Sequence, residues 1–234
     1  MKNLPTLEEL LKNGVHFGHS TSKRYPKAAS YIHTERNGVH IIDLQKTVEG
    51  LEKALTYVEQ VVKAGGVILF IGSKKQAKTI VKEAADSCGM PYIIGRWLGG
   101  TFTNFANIVK LTRKLDKMEK EEADGSWEVY TKKEQVTFKK ELNKLQENVG
   151  GIKSMKKLPQ AVFVVDIKKE STAVSEAIKT GISVIAMTDT NVNPEKTSYP
   201  IPANDDAIKS INMITNLMAE GINQAKSQVV QTSK

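Results

Sequence analysis

Three apolar runs, Val67-Ile68-Leu69-Phe70-Ile71, Ala161 to Val165 and Ile182 to Met187, the last interrupted only by Ser183, constrain the fold of this chain more than anything else in it. A strand with one wet face alternates apolar and polar residues, so strands without alternation must be covered on both faces. Between and around the runs the apolar spacing is helical. Leu51, Leu55, Val58 and Val62 recur until Gly65-Gly66 stops them, and further helices are expected from about Lys75 to Ser87, Ser171 to Lys179, and Asp205 toward Ala225. Thr6 and Glu9 form a capping box for a short helix carrying Leu7, Leu10 and Leu11, which Gly14 ends. Short strands are expected at Val39 to Ile42, after an Asn37-Gly38 turn, and around Tyr92 to Ile94. Buried strands alternating with amphipathic helices predict an α/β fold with a doubly wound parallel sheet.

Residues 104–149 interrupt that rhythm. Ile108, Leu111, Leu115 and Met118 step by three and four, as do Phe138, Leu142, Leu145 and Val149, with Asp124-Gly125 between the two runs and Thr131 with Glu134 capping the second. This pattern predicts an inserted antiparallel coiled-coil helical hairpin, each arm about 25 Å long. The domain reading is therefore an α/β core of residues 1–103 and 150–234, with 104–149 inserted. An arm with no pocket suits docking better than catalysis.

The net charge of +8 and pI near 9.3 favour a polyanionic partner. Cys88 is the only cysteine, which excludes an intrachain disulfide and a four-cysteine zinc site and fits a reducing compartment. The opening Met1-Lys2-Asn3-Leu4-Pro5 has no secretory apolar region, and no apolar run approaches membrane-spanning length. A cytoplasmic protein is expected.

His16 to Lys46 is too polar to be core. It holds all four histidines, and between His16 and His40 the cations Lys23, Arg24, Lys27 and Arg36 face one acid, Glu35, with Tyr25 and Tyr31 among them. Cations neutralise phosphates while aromatic rings stack on bases, which is the chemistry of an RNA contact; an ordinary solvated loop is the plainer alternative. Gly72-Ser73-Lys74-Lys75 lies where a strand gives way to a helix, but its single glycine matches no nucleotide-binding fingerprint, so Lys74, Lys75 and Lys78 suit the backbone of a larger nucleic acid better. Arg96-Trp97-Leu98-Gly99-Gly100 offers a cation and a stacking plane, or a plug for the base of the hairpin; Thr103 or Asn104 is the expected cap of the next helix. Asp166, Asp189, Asp205 and Asp206 fall at strand ends on one rim. Helix capping by Asp205 or Asp206 and an Asx turn at Asp189 are the simpler account, and a mixed metal site using His16, His19, Asp189 and Asp205 is the alternative. No catalytic motif is present among these segments.

These segments resemble the bacterial-type family of the second protein of the small ribosomal subunit. The matching elements are Gly14-Val15-His16-Phe17-Gly18-His19, Glu35-Arg36-Asn37-Gly38, Ile41 to Thr47, Lys74-Lys75-Gln76-Ala77, Arg96 to Gly100, Phe163 to Asp166, Asp189-Thr190-Asn191 and Ile201 to Ile208, in order from about residue 6 to 220. The resemblance implies a flavodoxin- or Rossmann-like core with a coiled-coil insertion and no enzymatic activity or cofactor. It implies a place on the solvent side of the small subunit between head and body, bound to ribosomal RNA and neighbouring proteins. It also implies a part in holding the large multi-OB-fold protein that captures messenger RNA. Carried onto this chain, the RNA-facing residues are Lys23, Arg24, Lys27, Arg36, Asn37, Lys74, Lys75, Arg96 and Trp97; the hairpin cations Lys110, Arg113 and Lys114 are added from charge alone. Three places depart from the family pattern. Ser20-Thr21-Ser22 lacks an expected arginine, Ile167 replaces a common proline, and Val192-Asn193 replaces a frequent Cys-Asp. The rival readings are a nucleotide-binding α/β enzyme and a coiled-coil adaptor that binds only protein.

Overall fold

The computed structural model describes residues 4–232, with side chains to residue 229. Residues 1–3, part of the stretch read as lacking a secretory region, lie outside it. Helix α1 (Leu7–Lys12) begins at the expected capping box: Glu9 N donates to Thr6 Oγ1 at 3.3 Å and Thr6 N donates to Glu9 Oε2 at 2.8 Å. The basic segment that follows is not an irregular loop. It folds into an antiparallel sheet of β1 (Phe17–Ser20), β2 (Ile32–Arg36) and β3 (Val39–Ile42), in the order β1-β3-β2. Only β3 was expected. The hairpin between β2 and β3 turns on Asn37 (φ 52°) and Gly38 (φ 74°), the paired positive φ values that a two-residue turn requires. The cations of the segment ride on two 3₁₀ turns, Thr21–Lys23 and Pro26–Tyr31.

Helix α2 (Leu44–Lys63) starts at Asp43, whose Oδ1 accepts from Gln45 N at 3.0 Å. The chain then passes through β4 (Ile68–Ile71), α3 (Lys78–Cys88), β5 (Tyr92–Ile93), α4 (Phe105–Ala123), α5 (Lys132–Val149), β6 (Ala161–Val164), α6 (Ser171–Lys179), β7 (Ser183–Thr188), β8 (Tyr199–Pro202) and α7 (Ile208–Thr232). Five of the strands form one parallel sheet in the order β5-β4-β6-β7-β8, which reverses direction between β4 and β6. In such sheets the crevice at the carboxyl ends of the two switch strands is the usual place for a ligand. Strand β8 was not expected: Pro200 and Pro202 mask it, and proline is tolerated there because β8 is an edge. Helix α3 begins three residues later than the spacing suggested, and α7 begins at Ile208 instead of Asp205.

The sheet is buried on both faces, as its runs require. Ile68, Phe70, Ala161, Phe163, Ile185 and Met187 pack into one cluster with α2, α3 and α7. The alternate residues Leu69, Ile71, Val162, Val164, Val184 and Ala186 pack on the other face with α6 and the bases of α4 and α5. The α4–α5 pair lies between β5 and β6 in sequence and turns at Gly125 (φ 71°). Ile108, Leu115, Met118, Leu142 and Val149 are buried in the second cluster, and Leu111, Phe138 and Leu145 pack partly buried against it. Lys139 pairs with Glu122 near the turn, while Lys153 reaches Asp116 at 2.7 Å nearer the sheet.

Candidate nucleic-acid interface

At the switch point β4 runs out into Gly72-Ser73-Lys74. The Lys74 side chain is largely buried. It sits among three carboxylates, at 3.0 Å from Asp166 Oδ2, 2.9 Å from Asp205 Oδ1 and 2.7 Å from Asp206 Oδ1. Burial opposes its charge, but these carboxylates prevail and raise its pKa. Asp205 is almost fully buried. Burial first, then the charges of Asp166 and Asp189, push its carboxyl up to about 7 against the pull of Lys74. The expected capping by Asp205 or Asp206 is replaced: Asn204 Oδ1 accepts from Asp206 N at 2.8 Å and Ala207 N at 3.0 Å, leaving Asp205 for Lys74.

The phosphate position of this crevice is filled from within. Ser73 N, the backbone donor that a phosphate at the end of β4 would use, donates instead to Glu170 Oε1 at 3.0 Å. Lys169 Nζ donates to Ser73 O at 3.0 Å. A buried carboxylate thus stands where a nucleotide enzyme would hold its ligand.

Trp97 is also internal, 8% exposed, its ring edge-on to Phe102 with centroids 4.9 Å apart. Its Nε1 donates to Glu176 Oε1 at 3.1 Å, and the same carboxylate accepts from the backbone N–H groups of Gly100, Phe102 and Thr103. Burial opposes ionisation of Glu176, yet these donors hold its pKa below the ordinary value. Trp97 therefore plugs the loop ahead of α4 and presents no stacking plane to solvent. The expected caps fail for the same reason: Thr103 Oγ1 turns to Glu176, and Asn104 makes no side-chain cap bond. Glu176 and Glu170 were both missed from sequence. For Glu176 a signal existed, since an acid beside Ala173 and Ala177 on the apolar face of a helix needs several donors.

The remaining cations are outside. Lys23, Arg24, Arg36, Lys75, Arg96, Lys110 and Arg113 are exposed and make no ion pair among the described residues; Asn37 is exposed at its turn. Lys27 pairs with Glu195 and Lys114 with Glu141, both at the surface. The N-terminal cations are fixed to the sheet's carboxyl rim: Tyr25 N donates to Thr190 O at 2.8 Å, and His19 N donates to Thr190 Oγ1 at 3.0 Å and Asp189 Oδ1 at 3.2 Å. Asp189 Oδ1 also accepts from Thr190 N, so its carboxylate anchors β1 and forms no Asx turn. A cavity of about 650 Å³ opens beside Ser73, with Arg96, Lys78 and Lys169 on its walls.

Of the residues considered for a metal, His19, Asp189 and Asp205 come together with Asp206, and ligand atoms of His19, Asp205 and Asp206 lie within 4.8 Å of one another. The His19 ring is already committed, Nδ1 at 2.9 Å from Asp189 and Nε2 at 3.5 Å from Asp206; the Asp189 hydrogen bond raises its pKa. Lys74 supplies the positive charge that a cation would bring. His16 is not part of this group; its ring packs on Phe17, and burial lowers its pKa.

The sequence matches the family model described as Ribosomal protein S2 over residues 10–225 of 234. The chain belongs to that family. Proteins of the Ribosomal protein S2 family are structural constituents of the small ribosomal subunit and serve translation without being enzymes. The family's place is the ribosome, and no helix among the described residues is long and apolar enough to cross a membrane.

Proposed function

We propose that this protein braces the small subunit by binding ribosomal RNA through two sets of exposed cations on one rigid core. Lys23, Arg24 and Lys27 with Arg36 and Asn37 form the first set, and Lys75 with Arg96 the second. Lys110, Arg113 and Lys114 extend the reach along the α4–α5 pair, read as an inserted coiled-coil arm on residues 104–149. The observation that carries this reading is that Lys23, Arg24, Arg36, Lys75, Arg96, Lys110 and Arg113 are exposed and make no ion pair among the described residues, whereas the largely buried Lys74 is paired with three carboxylates. A cation without a protein counter-ion exchanges its small-ion partners for phosphates, and the released ions drive binding. Lys74 and Trp97 serve the interface indirectly, by holding the loops that carry Lys75 and Arg96.

Phosphate contacts position the protein, and the shape of the RNA selects the site. Protein partners, the multi-OB-fold messenger-binding protein among them, belong to the arm, whose end exposes Val129, Tyr130 and Val136. The test is the affinity of purified protein for small-subunit ribosomal RNA across a salt series. A log–log slope of several units is expected, reduced by about one per phosphate contact when Lys23 or Arg24 becomes glutamate. An affinity unchanged by salt would remove the mechanism.

A further inference from the structure

A second cavity, about 280 Å³, lies between α6 and the segment after β7. Ile167, Val174, Ile178 and Val192 give it an apolar lining, and Ile178 is left 53% exposed. Tyr25, Lys168 and Lys196 line it as well, with Ser171, Ser175, Asn191 and Asn193 between them. Neither lysine makes an ion pair among the described residues. The Tyr25–Thr190 backbone bond and the Lys27–Glu195 pair clamp the basic segment against this site, so the cavity continues the surface of Lys23, Arg24 and Lys27.

A double helix presents phosphate and ribose, for which an apolar slot has no use. An unstacked nucleotide presents an apolar face, edges and a phosphate together. We infer that this cavity receives one unpaired base of the bound RNA, with Tyr25 as stacking partner and Lys168 and Lys196 on its phosphates. The inference rests on the RNA-binding reading above. An apolar side chain of a neighbouring protein is the competing occupant, and the two lysines with the adjoining cations disfavour it on charge.

The test uses small subunits stripped of this protein and rebound with wild type, Ser175→Leu or Ile178→Glu. Ser175 lines the cavity and is exposed, so the leucine fills the slot without change of charge; Ile178 is exposed as well, and thermal melting checks that each variant is folded. Dimethyl sulfate and carbodiimide report on the pairing edges of unpaired bases. Wild type should protect at least one unpaired base, and both variants should lose that protection and bind about tenfold more weakly. Identical protection by wild type and variants, or protection of no unpaired base by bound wild type, would overturn the inference alone. Failure of wild type to bind RNA would overturn the reading beneath it.

Discussion

Glu176 on α6 and Trp97 in the loop before α4 are joined by a 3.1 Å hydrogen bond that closes a loop 79 residues away in sequence. The same carboxylate holds three backbone N–H groups of residues 100–103, so one buried acid sets the conformation of the glycine pair and the position of Arg96 beside it.

Replacing Glu176 by alanine leaves several buried donors without partners, each costing about 1–3 kcal/mol where water does not enter. Glu176→Ala is expected to lower stability by about 3 kcal/mol in urea unfolding, and Glu176→Gln by less. The folded-state pKa of Glu176 lies below its ordinary 4.5, so its contribution is present above that value and is lost as pH falls through the lowered one. Wild type should therefore lose more stability than Glu176→Gln on acidification below about pH 4.5.

Lys74 neutralises three carboxylates, and its removal leaves them facing one another. Lys74→Ala should cost about 3–5 kcal/mol at pH 8. The loss should be smaller near pH 5.5, where protonation of Asp205 relieves the repulsion; equal losses at the two pH values would contradict the assigned cluster.

Asp205 titrates the other way from a surface acid. Its folded-state pKa of about 7 exceeds the ordinary 3.8, so the stability it contributes is fully present below 3.8 and lost as pH rises toward 7. His19, raised above 6.5 by Asp189, acts in the same sense over a higher window. Asp205→Asn should flatten the fall in thermal midpoint between pH 4 and 7.

Gly151 lies in the 3₁₀ turn Gly150–Ile152 that follows α5, packed against the edge strand β5. A Cβ there would collide with the Tyr92 carbonyl and ring, so Gly151→Ala must shift either the strand or the base of the helical pair. A loss of about 1–3 kcal/mol is expected in urea unfolding, with Gly99→Ala, which meets nothing within 4 Å, as the neutral control.

The parallel sheet was legible because β4 and β6 are apolar at every position and β7 is apolar from Val184 to Met187, a pattern without the alternation of a half-exposed strand. Strands β1 and β2 were not, because Phe17–Ser20 and Ile32–Arg36 lie in a small sheet with little burial and carry no alternation to read. Lys74 and Trp97 show the limit for sites. Each has the right chemistry for RNA in its local sequence, and each is claimed by a partner far along the chain, Asp205 and Glu176 respectively. The exposed cations Lys23, Arg24 and Arg36 stood out correctly as surface because no apolar neighbour pattern draws them inward.

The most direct measurement of the central claim is sedimentation of a tagged copy from its native cell through sucrose gradients, at low and then high salt with magnesium constant. Co-migration with small subunits at low salt and release at high salt is the predicted result, with Lys23→Glu/Arg24→Glu released at a lower salt than wild type. Protein that stays at the top of the gradient under both conditions would contradict the account.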